Sequence, residues 1–434
     1  MKRKWINFNV TILGLSKSGI SAAEYLSGKG ANCIISEKRP ASLEDEEKIK
    51  ELEKLDIKVE TGGHKEETIL NSDVVITSPG IPPHADVIKL IKVHNIEYFG
   101  EMELAYREAN KPFIAITGTN GKTTTTKLVS EILEKNGYNA PSCGNIGTPA
   151  TEYIDKDADF LVAEVSSYQI ATSKTFKPQI AVFLNYTPDH TDWHGDEKEY
   201  FKAKASLFTE RNPTWAVLNA RDLKIAYLKL EIPSEVYFFN REAEDKCVFI
   251  DNEKILLKDK NKKIHEIMEL SEIPLKGKHN LENIMAAVAV AHIAGVENKL
   301  IREAIMEFSP PEHRLEFVAE INGIDYYNDS KATNCSAAVC AMKAFENEKI
   351  VLIAGGRDKG TDLTEFSREV EKRAAAVVLI GEAADRFEAA FRKQGFKNIY
   401  REKTLENAVD KADNLKLGPV LLSPACASFD MFKN

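Results

Sequence analysis

Short apolar runs alternate with stretches of helical period along almost the whole chain. Residues 8–13, Phe-Asn-Val-Thr-Ile-Leu, meet the turn Gly14-Leu-Ser-Lys-Ser-Gly19 and then a helical pattern over 20–26, so a strand, a glycine turn and a helix are predicted. Further apolar runs at 33–36, before Glu37, and at 73–77, before Ser78-Pro-Gly80, make the first 110 residues an α/β unit with parallel strands. Asn110-Lys-Pro112 reads as a linker, and 113–117 opens a second unit with strands at 160–163, 180–184 and 215–218. The run 258–263 is a charged turn, and the alanine-rich 284–294 is a buried helix. Pro310-Pro311 marks the next boundary, after which strands at 325–327, 350–354, 377–380 and 420–422 alternate with helical patterns. Three α/β domains are therefore predicted, 1–110, 111–310 and 311–434, with ligands beyond the C-terminal ends of the strands.

Composition supports that division. The chain has 434 residues, 43% hydrophobic and 29% charged, and at about 150 residues per domain each of three domains can bury its own core. Disorder, collagen and coiled coil are excluded. No stretch reaches the ~18 consecutive apolar residues of a membrane helix, and Met1-Lys-Arg-Lys-Trp-Ile-Asn lacks the apolar core of a signal peptide, so a soluble cytoplasmic protein is expected. The six cysteines (Cys33, Cys143, Cys247, Cys335, Cys340, Cys426) form no Cys-x-x-Cys pair, which fits buried thiols better than disulfides or a zinc site. With 58 basic against 67 acidic side chains the net charge is −9, against non-specific nucleic-acid binding. The basic residues are expected to serve local anionic ligands.

One segment has the form of a phosphate-binding loop. Ile114-Ala-Ile-Thr117 runs into Gly118-Thr119-Asn120-Gly121-Lys122-Thr123-Thr124, followed by a helical pattern over 127–135. Such a loop wraps backbone N–H groups around nucleotide phosphates, with Lys122 reaching the β and γ oxygens and Thr123 a magnesium ion, at a helix N-terminus that favours negative charge. The glycine of the general pattern five residues before Gly-Lys is here Ile116. The alternative is an ordinary strand-to-helix turn.

Glu164 ends the apolar run of Phe160-Leu-Val-Ala, where a carboxylate is costly to bury unless it is paired or holds a metal; the alternative is a solvated strand-end glutamate. Asn185-Tyr-Thr-Pro-Asp189-His190-Thr-Asp192-Trp-His194 packs Asp and His into a loop after a strand, which taken alone also suits a metal-dependent hydrolase. If 197–209 is a helix, Lys204 shares its face with Tyr200, Phe201, Leu207 and Phe208, whereas Lys202 faces Lys198, Glu199 and Ser206. A lysine on an apolar face has a lowered pKa and can act as a base or add carbon dioxide to become a carbamate; the alternative is a snorkelling lysine. Polar clusters recur at Gly277-Lys-His-Asn280-Leu-Glu-Asn283, His313-Arg314, Asn328-Asp329-Ser-Lys331-Ala-Thr-Asn334 and Gly355-Gly-Arg-Asp-Lys359-Gly360, each singly explicable as a surface turn.

Together these motifs resemble the Mur ligase family, the ATP-dependent amide-forming ligases of bacterial cell-wall precursor synthesis, over nearly the whole chain. The residues that carry the likeness are Thr117-Gly-Thr-Asn-Gly-Lys-Thr-Thr124, Gly144-Asn145-Ile-Gly147, Glu164-Val-Ser166-Ser167, Asp189-His190, Lys204, His279-Asn280 with Asn283, His313-Arg314, the 328–334 cluster and Gly355-Gly356. Ser423-Pro-Ala-Cys-Ala-Ser428-Phe-Asp-Met-Phe432 resembles the segment that marks the D-glutamate-adding member, and the Asp-Asn-Pro-Arg motif of diamino-acid-adding members is absent. The resemblance implies a Rossmann-like N-terminal domain, a central P-loop ATPase-like parallel sheet and a Rossmann-like C-terminal domain. It implies that UDP-N-acetylmuramoyl-L-alanine is activated by ATP as an acyl phosphate and captured by D-glutamate. It assigns the first domain to the uridine nucleotide, with Ser18, Glu37 and Arg39 at its turns, and Ser78, Gly80 and Ser166 to the same substrate.

On the same footing, Gly118, Thr119, Asn120, Gly121, Lys122, Thr123 and Thr124 hold ATP phosphates. Thr123 and Glu164 hold one magnesium ion, and His190 with carbamylated Lys204 holds a second. Asn145 contacts the acyl phosphate; Asn280, Asn283, Arg314 and Asp329 cradle adenine, ribose and γ-phosphate; Lys331, Lys359 and Ser428 close on D-glutamate. No nucleic acid and no membrane are expected as partners, and a monomer is expected. Gly14-Leu-Ser-Lys-Ser-Gly19 lacks the middle glycine of the dinucleotide fingerprint, against an NAD site. Family members continue past Phe432 with an aromatic residue and a short helix; here the chain stops at Asn434, so either it is cut short or its glutamate pocket closes differently. The rival readings are a folate polyglutamate ligase and a non-catalytic nucleotide-binding homologue.

Overall fold

The computed structural model describes residues 4–145, 147–243, 245–275, 277–345, 348–358, 360–428 and 430–432. Their strands form three sheets, of five, nine and six strands. The first is built from β1 (Asn9–Leu13), α1 (Lys17–Gly28), β2 (Asn32–Ser36), α2 (Leu43–Glu53), β3 (Lys58–Glu60), α3 (Glu66–Leu70), β4 (Val74–Thr77), α4 (Asp86–Val93), β5 (Glu97–Gly100) and α5 (Glu101–Ala109). Its order is β3-β2-β1-β4-β5 with every pair parallel, so the strand order reverses between β1 and β4. β1 is apolar on both faces because helices cover both, and Val10, Ile12 and Leu13 are buried. Ser16 caps α1 by accepting from Gly19 N, so the helix starts three residues ahead of its apolar pattern.

The second sheet follows through β6 (Phe113–Thr117), α6 (Lys122–Lys135), β7 (Ser142–Gly144), β8 (Leu161–Glu164), α7 (Ser167–Ala171), β9 (Ile180–Phe183), α8 (Thr191–His194), α9 (Glu197–Thr209), β10 (Trp215–Asn219), α10 (Leu223–Ala226), β11 (Glu235–Phe239), β12 (Cys247–Asp251), β13 (Lys254–Lys258) and β14 (Ile264–Glu269). From β7 to β12 it is the parallel sheet expected, and β12, β13 and β14 extend it by an antiparallel meander that the sequence reading did not include. Ile255 and Leu257 of β13 are buried while their neighbours Lys254, Leu256 and Lys258 are only partly so, the alternation of a meander with one wet face. The third sheet uses β15 (Glu316–Ile321), β16 (Ile324–Asn328), α13 (Cys335–Lys343), β17 (Ile350–Gly355), α14 (Thr364–Arg373), β18 (Ala374–Ile380), α15 (Ala384–Lys393), β19 (Ile399–Arg401), α16 (Leu405–Leu415) and β20 (Val420–Leu422). Its order is β15-β16-β20-β17-β18-β19, parallel except for the β15/β16 hairpin.

Two compact units result, one of Met1–Ser271 with Met285–Ile305 and the other of Glu272–Ile284 with Met306–Asn434. The first unit therefore contains two sheets, and the start of α5 ties them. Glu103 is wholly buried, and its carboxylate accepts from the backbone N–H of Lys174, Thr175 and Phe176, from the Thr175 hydroxyl at 2.6 Å and from Arg107 Nε at 2.8 Å. Glu101 accepts from Thr151 N and Oγ1 at 2.7 and 2.9 Å, and burial raises its pKa to about 7. Among the described residues no helix is long and apolar enough to cross a membrane.

The Glu103 cluster generates the first prediction. Glu103→Ala removes a buried anion and strands several N–H groups and a guanidinium, so stability falls by about 3–5 kcal/mol. A urea titration should show a lower midpoint with unchanged slope.

Candidate active site

The register of three neighbouring strands builds the site. Ile116 of β6 lies opposite Glu164 of β8, and Glu164 lies opposite Gly144 of β7, so the phosphate-type loop, the glutamate and Asn145 emerge at one sheet edge. Glu164 is 2% exposed; its Oε2 accepts from Thr123 Oγ1 and its Oε1 from Asn145 Nδ2, each at 2.7 Å. The solvated reading of Glu164 is overturned. Side chains cannot fit where these strands end, since a Cβ on Gly144 (φ +94°) would lie 2.4 Å from Glu164 O and one on Gly118 (φ +155°) 2.9 Å from Leu184 Cβ.

α6 starts at Lys122, directly after Gly121 in the left-handed region, earlier than its apolar pattern indicates. Thr123 and Thr124 thus lie in its first turn. Lys122 Nζ donates to the carbonyls of Gly118 and Thr119 at 3.0 and 2.9 Å, folded onto its own loop. The segment after β9 braces that loop. Asn185 accepts at Oδ1 from Asn120 N and donates from Nδ2 to Asn120 O, its carbonyl accepts from Thr119 N, and the Thr119 hydroxyl donates to Thr187 O. Asn185 had no assigned role from sequence; its position at a strand end beside a glycine loop was the available signal.

α9 spans the predicted 197–209, capped by Asp196, whose side chain accepts from Glu199 N. Its apolar face carries Tyr200, Leu207 and Phe208 into the core and Lys204 with them, 2% exposed, while the Lys202 side chain is 71% exposed. A snorkelling Lys204 is thereby excluded. Its Nζ donates to Gly118 O at 2.9 Å, the carbonyl Lys122 also uses, and lies 4.9 Å from the Tyr200 ring centre. Burial first, and then the Lys122 charge, hold its pKa well below the usual lysine range.

His190 adopts φ 53°, and its ring stands 5.0 Å from that of Tyr168 and 5.9 Å from that of Tyr200. Asp189, buried, holds its Oδ2 3.7 Å from His190 Nε2. His194, not assigned from sequence, meets Ser167 Oγ at 2.9 Å, and burial lowers its pKa to about 4.

Lys122, Thr123, Glu164 and Asn145 form one hydrogen-bonded and looped cluster, and Lys204 reaches it through Gly118 O. The other expected residues divide. In the first sheet Ser18 Oγ lies 3.2 Å from Ser16 Oγ, and Glu37 braces the β1–α1 turn by accepting from Leu15 N at 2.8 Å. Arg39 forms a fork on Asp45 at 2.5 and 3.0 Å, which engages the guanidinium expected for substrate. A Cβ on Gly14 (φ +100°) would come 3.2 Å from Ser78 Cβ, so the loops after β1 and β4 meet where the strand order reverses, and Gly80 lies open beside them. Ser166 is the N-cap of α7 in a capping box with Gln169, a structural use the sequence pattern did not separate from a substrate one.

Asn283 Nδ2 donates to Asn280 Oδ1 at 3.2 Å at the start of α11 (Lys278–Ile293), in the stretch that belongs to the second unit; the rest of α11, from Met285, and α12 (Asn298–Glu307) as far as Ile305 belong to the first. Asp329 is buried, accepts from Leu315 N at 3.2 Å and Ser423 Oγ at 2.8 Å, and burial outweighs these bonds and the Arg314 charge to raise its pKa to about 6. Lys331 is exposed, Ser428 is half-buried, and Lys359 lies outside the described residues.

A strand, a glycine loop and a Lys-Thr helix start beside a buried carboxylate define the P-loop class of α/β domain. The Mur ligase middle domain model matches residues 116–291, the Mur ligase glutamate ligase domain 313–426, and the Mur ligase MurD-like N-terminal domain 8–100. The chain is 38% identical over 439 residues, covering 100% of its length and 96% of the relative's, to the UDP-N-acetylmuramoylalanine–D-glutamate ligase of Pelotomaculum thermopropionicum. It is 41% identical over 432 residues, 98% and 94% of the two chains, to that of Koribacter versatilis. In fold it is similar to the UDP-N-acetylmuramate-alanine ligase of Thermotoga maritima, with TM-score 0.62, 19% identity and coverage of 97% and 96%. For Mycobacterium tuberculosis folylpolyglutamate synthase these are 0.58, 16%, and 74% and 90%. The chain belongs to the Mur ligase family.

Asp329 sets a pH prediction. Its folded pKa of about 6 exceeds the ordinary 3.8, so its burial is least costly below pH 4 and stability is lost as pH rises towards and through 6. Asp329→Asn should match the wild type in unfolding free energy at pH 4 and exceed it at pH 7 by up to about 3 kcal/mol, which thermal melts at the two pH values will show as equal and then raised midpoints.

Proposed function

We propose that the protein is an ATP-dependent ligase that joins D-glutamate to the lactoyl-alanine carboxylate of UDP-N-acetylmuramoyl-L-alanine in cytoplasmic peptidoglycan precursor synthesis. The observation that carries the reading is Glu164, a buried carboxylate tied to Thr123 at the mouth of the Gly118–Thr124 loop, in a chain whose full-length relatives bear the name of that ligase.

The loop residues suit the triphosphate. Backbone N–H groups of the loop other than those of Thr119 and Asn120, which Asn185 holds, and the N-terminus of α6 would bind its oxygens, and Lys122, released from the Gly118 and Thr119 carbonyls, would neutralise the transferring γ-phosphoryl. The hydroxyl of Thr123 and the carboxylate of Glu164 are the hard oxygen donors magnesium takes, and His190 with Lys204 is assigned a second ion. Bound there, magnesium supplies charge neutralisation on the phosphates. Asn145, oriented by its bond to Glu164, would hold the carboxylate being activated. That carboxylate takes the γ-phosphoryl, ADP leaves, and the D-glutamate amine displaces phosphate from the acyl phosphate to form the amide. Asn280, Asn283, Arg314 and Asp329 are assigned to the nucleotide, Lys331, Lys359 and Ser428 to D-glutamate, and Ser18, Glu37, Arg39, Ser78, Gly80 and Ser166 to the uridine-linked substrate.

Burial favours the amine form of Lys204 over the ammonium, and an amine adds carbon dioxide with loss of one proton. The carbamate so formed turns a costly buried cation into a carboxylate-like ligand. Lys204→Ala is expected to lose at least 100-fold in kcat, on the order seen when one group is removed from a charge-stabilising site, and short carboxylic acids should restore part of it. Full activity in the unsupplemented variant would reject the role.

ADP release should require ATP, magnesium, UDP-N-acetylmuramoyl-L-alanine and D-glutamate together. Release with L-glutamate or L-lysine but not D-glutamate would defeat the substrate assignment. A folate substrate accepted in place of the uridine nucleotide would favour the polyglutamate ligase, a reading the MurD-like match over residues 8–100 opposes.

A further inference from the structure

Arg386, outside every residue assigned above, anchors both ends of a short loop. Its Nε and Nη2 form a fork on Asp358 at 2.7 and 2.8 Å, and its Nη1 donates to Thr361 O at 2.8 Å. Asp358 Oδ1 also accepts from Gly360 N at 2.9 Å. The pair is partly shielded, the arginine side chain being 35% and the aspartate 24% exposed, and a planar fork that also holds a backbone carbonyl is more rigid than a simple surface ion pair.

The near side of the same loop is woven into the Ser423–Phe432 segment. Gly355 N donates to Pro424 O and Arg357 N to Ala427 O, both at 2.8 Å. The contact is so close that a Cβ on Gly356 (φ +134°) would fall 2.4 Å from Ala427 O. Asp430 Oδ2 accepts from Glu382 N at 2.9 Å, and Ala383 N donates to Gly356 O at 2.8 Å, both just ahead of α15. The turn ahead of α15 thus holds Asp430, and α15 itself holds Asp358 and Thr361 through Arg386.

We propose that Arg386 is a positioning residue for amino-acid binding, presetting residues 355–358 and 360–361 against the segment that carries Ser428. The inference rests on the assignment of Ser428 to the amino acid in the reading above. Gly360 (φ +65°), with open space where a Cβ would stand, leaves the far end of that loop with conformational freedom, and without the fork the amino acid must order it at the cost of its own affinity.

Arg386→Ala should raise the KM for D-glutamate ~10-fold, as misplacement of a positioning group does, and leave the KM values for ATP and the uridine-linked substrate unchanged. Arg386→Lys should recover little, because an ammonium cannot make the fork. Asp358→Ala should reproduce the effect, and the double variant should be no worse than either single one. In the absence of substrates, amide exchange in 355–361 should quicken in Arg386→Ala while the central sheet is unaffected. An equal rise in all three KM values, an unchanged D-glutamate KM, additive costs, or unaltered exchange in the loop would overturn the proposal. If the wild type releases ADP only with another amino acid, the D-glutamate assignment fails, and the KM for that amino acid becomes the readout for Arg386.

Discussion

Removing Glu164 from water at the C-terminal edge of a parallel sheet is the constraint on which the central site depends. A buried carboxylate without partners costs several kcal/mol, and here a threonine from the β6 loop and an asparagine from the β7 loop supply hydrogen bonds on opposite sides. Those partners exist only because β6, β8 and β7 are adjacent and aligned so that Ile116, Glu164 and Gly144 share one level. A slip of one residue would turn Glu164 to the other face and leave its partners behind. Sheet register and site chemistry are therefore one requirement.

The same edge carries the opposite charge problem. Lys122 and Lys204 both donate to Gly118 O, one from the loop and one from α9, so the glycine carbonyl is a meeting point for two lysine side chains that cannot both keep their charge cheaply. Their mutual repulsion adds to burial in favouring a neutral Lys204. α9 is driven into that position by the aromatic packing of Tyr200 and Phe208, with Phe208 stacked on Phe183 at 5.7 Å, and not by any attraction between the lysines. Hydrophobic burial places a group where its ordinary charge is disfavoured, which is how a fold makes a reactive amine from a common residue.

Much of this was legible along the chain because helical period and strand length are local signals. The spacing of Tyr200, Leu207 and Phe208 around Lys204 identified its face, and α9 has the predicted bounds. The glycine loop and its Lys-Thr pair were equally plain. Side chains with two possible employers were not: Ser166 serves a capping box, Arg39 clasps Asp45 and Glu37 braces the first turn, uses that depend on neighbours fixed by folding. The β12–β14 meander escaped notice because its strands are wet on one face and charged residues bound or interrupt their apolar positions, so they lack the continuous apolar signal of the buried parallel strands.

What the sequence determined by itself is the class of fold, the phosphate-type loop and the short set of residues able to carry charge-transfer chemistry. These follow from periodicity and from motifs whose members are close in the chain. Tertiary structure alone decided that Glu164 is shared between Thr123 and Asn145, that Lys204 ends at the carbonyl Lys122 uses, that Asn185 braces the loop, and that α15 and the turn ahead of it hold two distant residues, Asp358 through Arg386 and Asp430 through the Glu382 N–H. Each of these joins residues far apart in sequence. Their pairing is fixed by strand register and helix packing, which minimise buried unpaired charge over the whole unit and leave no local trace in the chain.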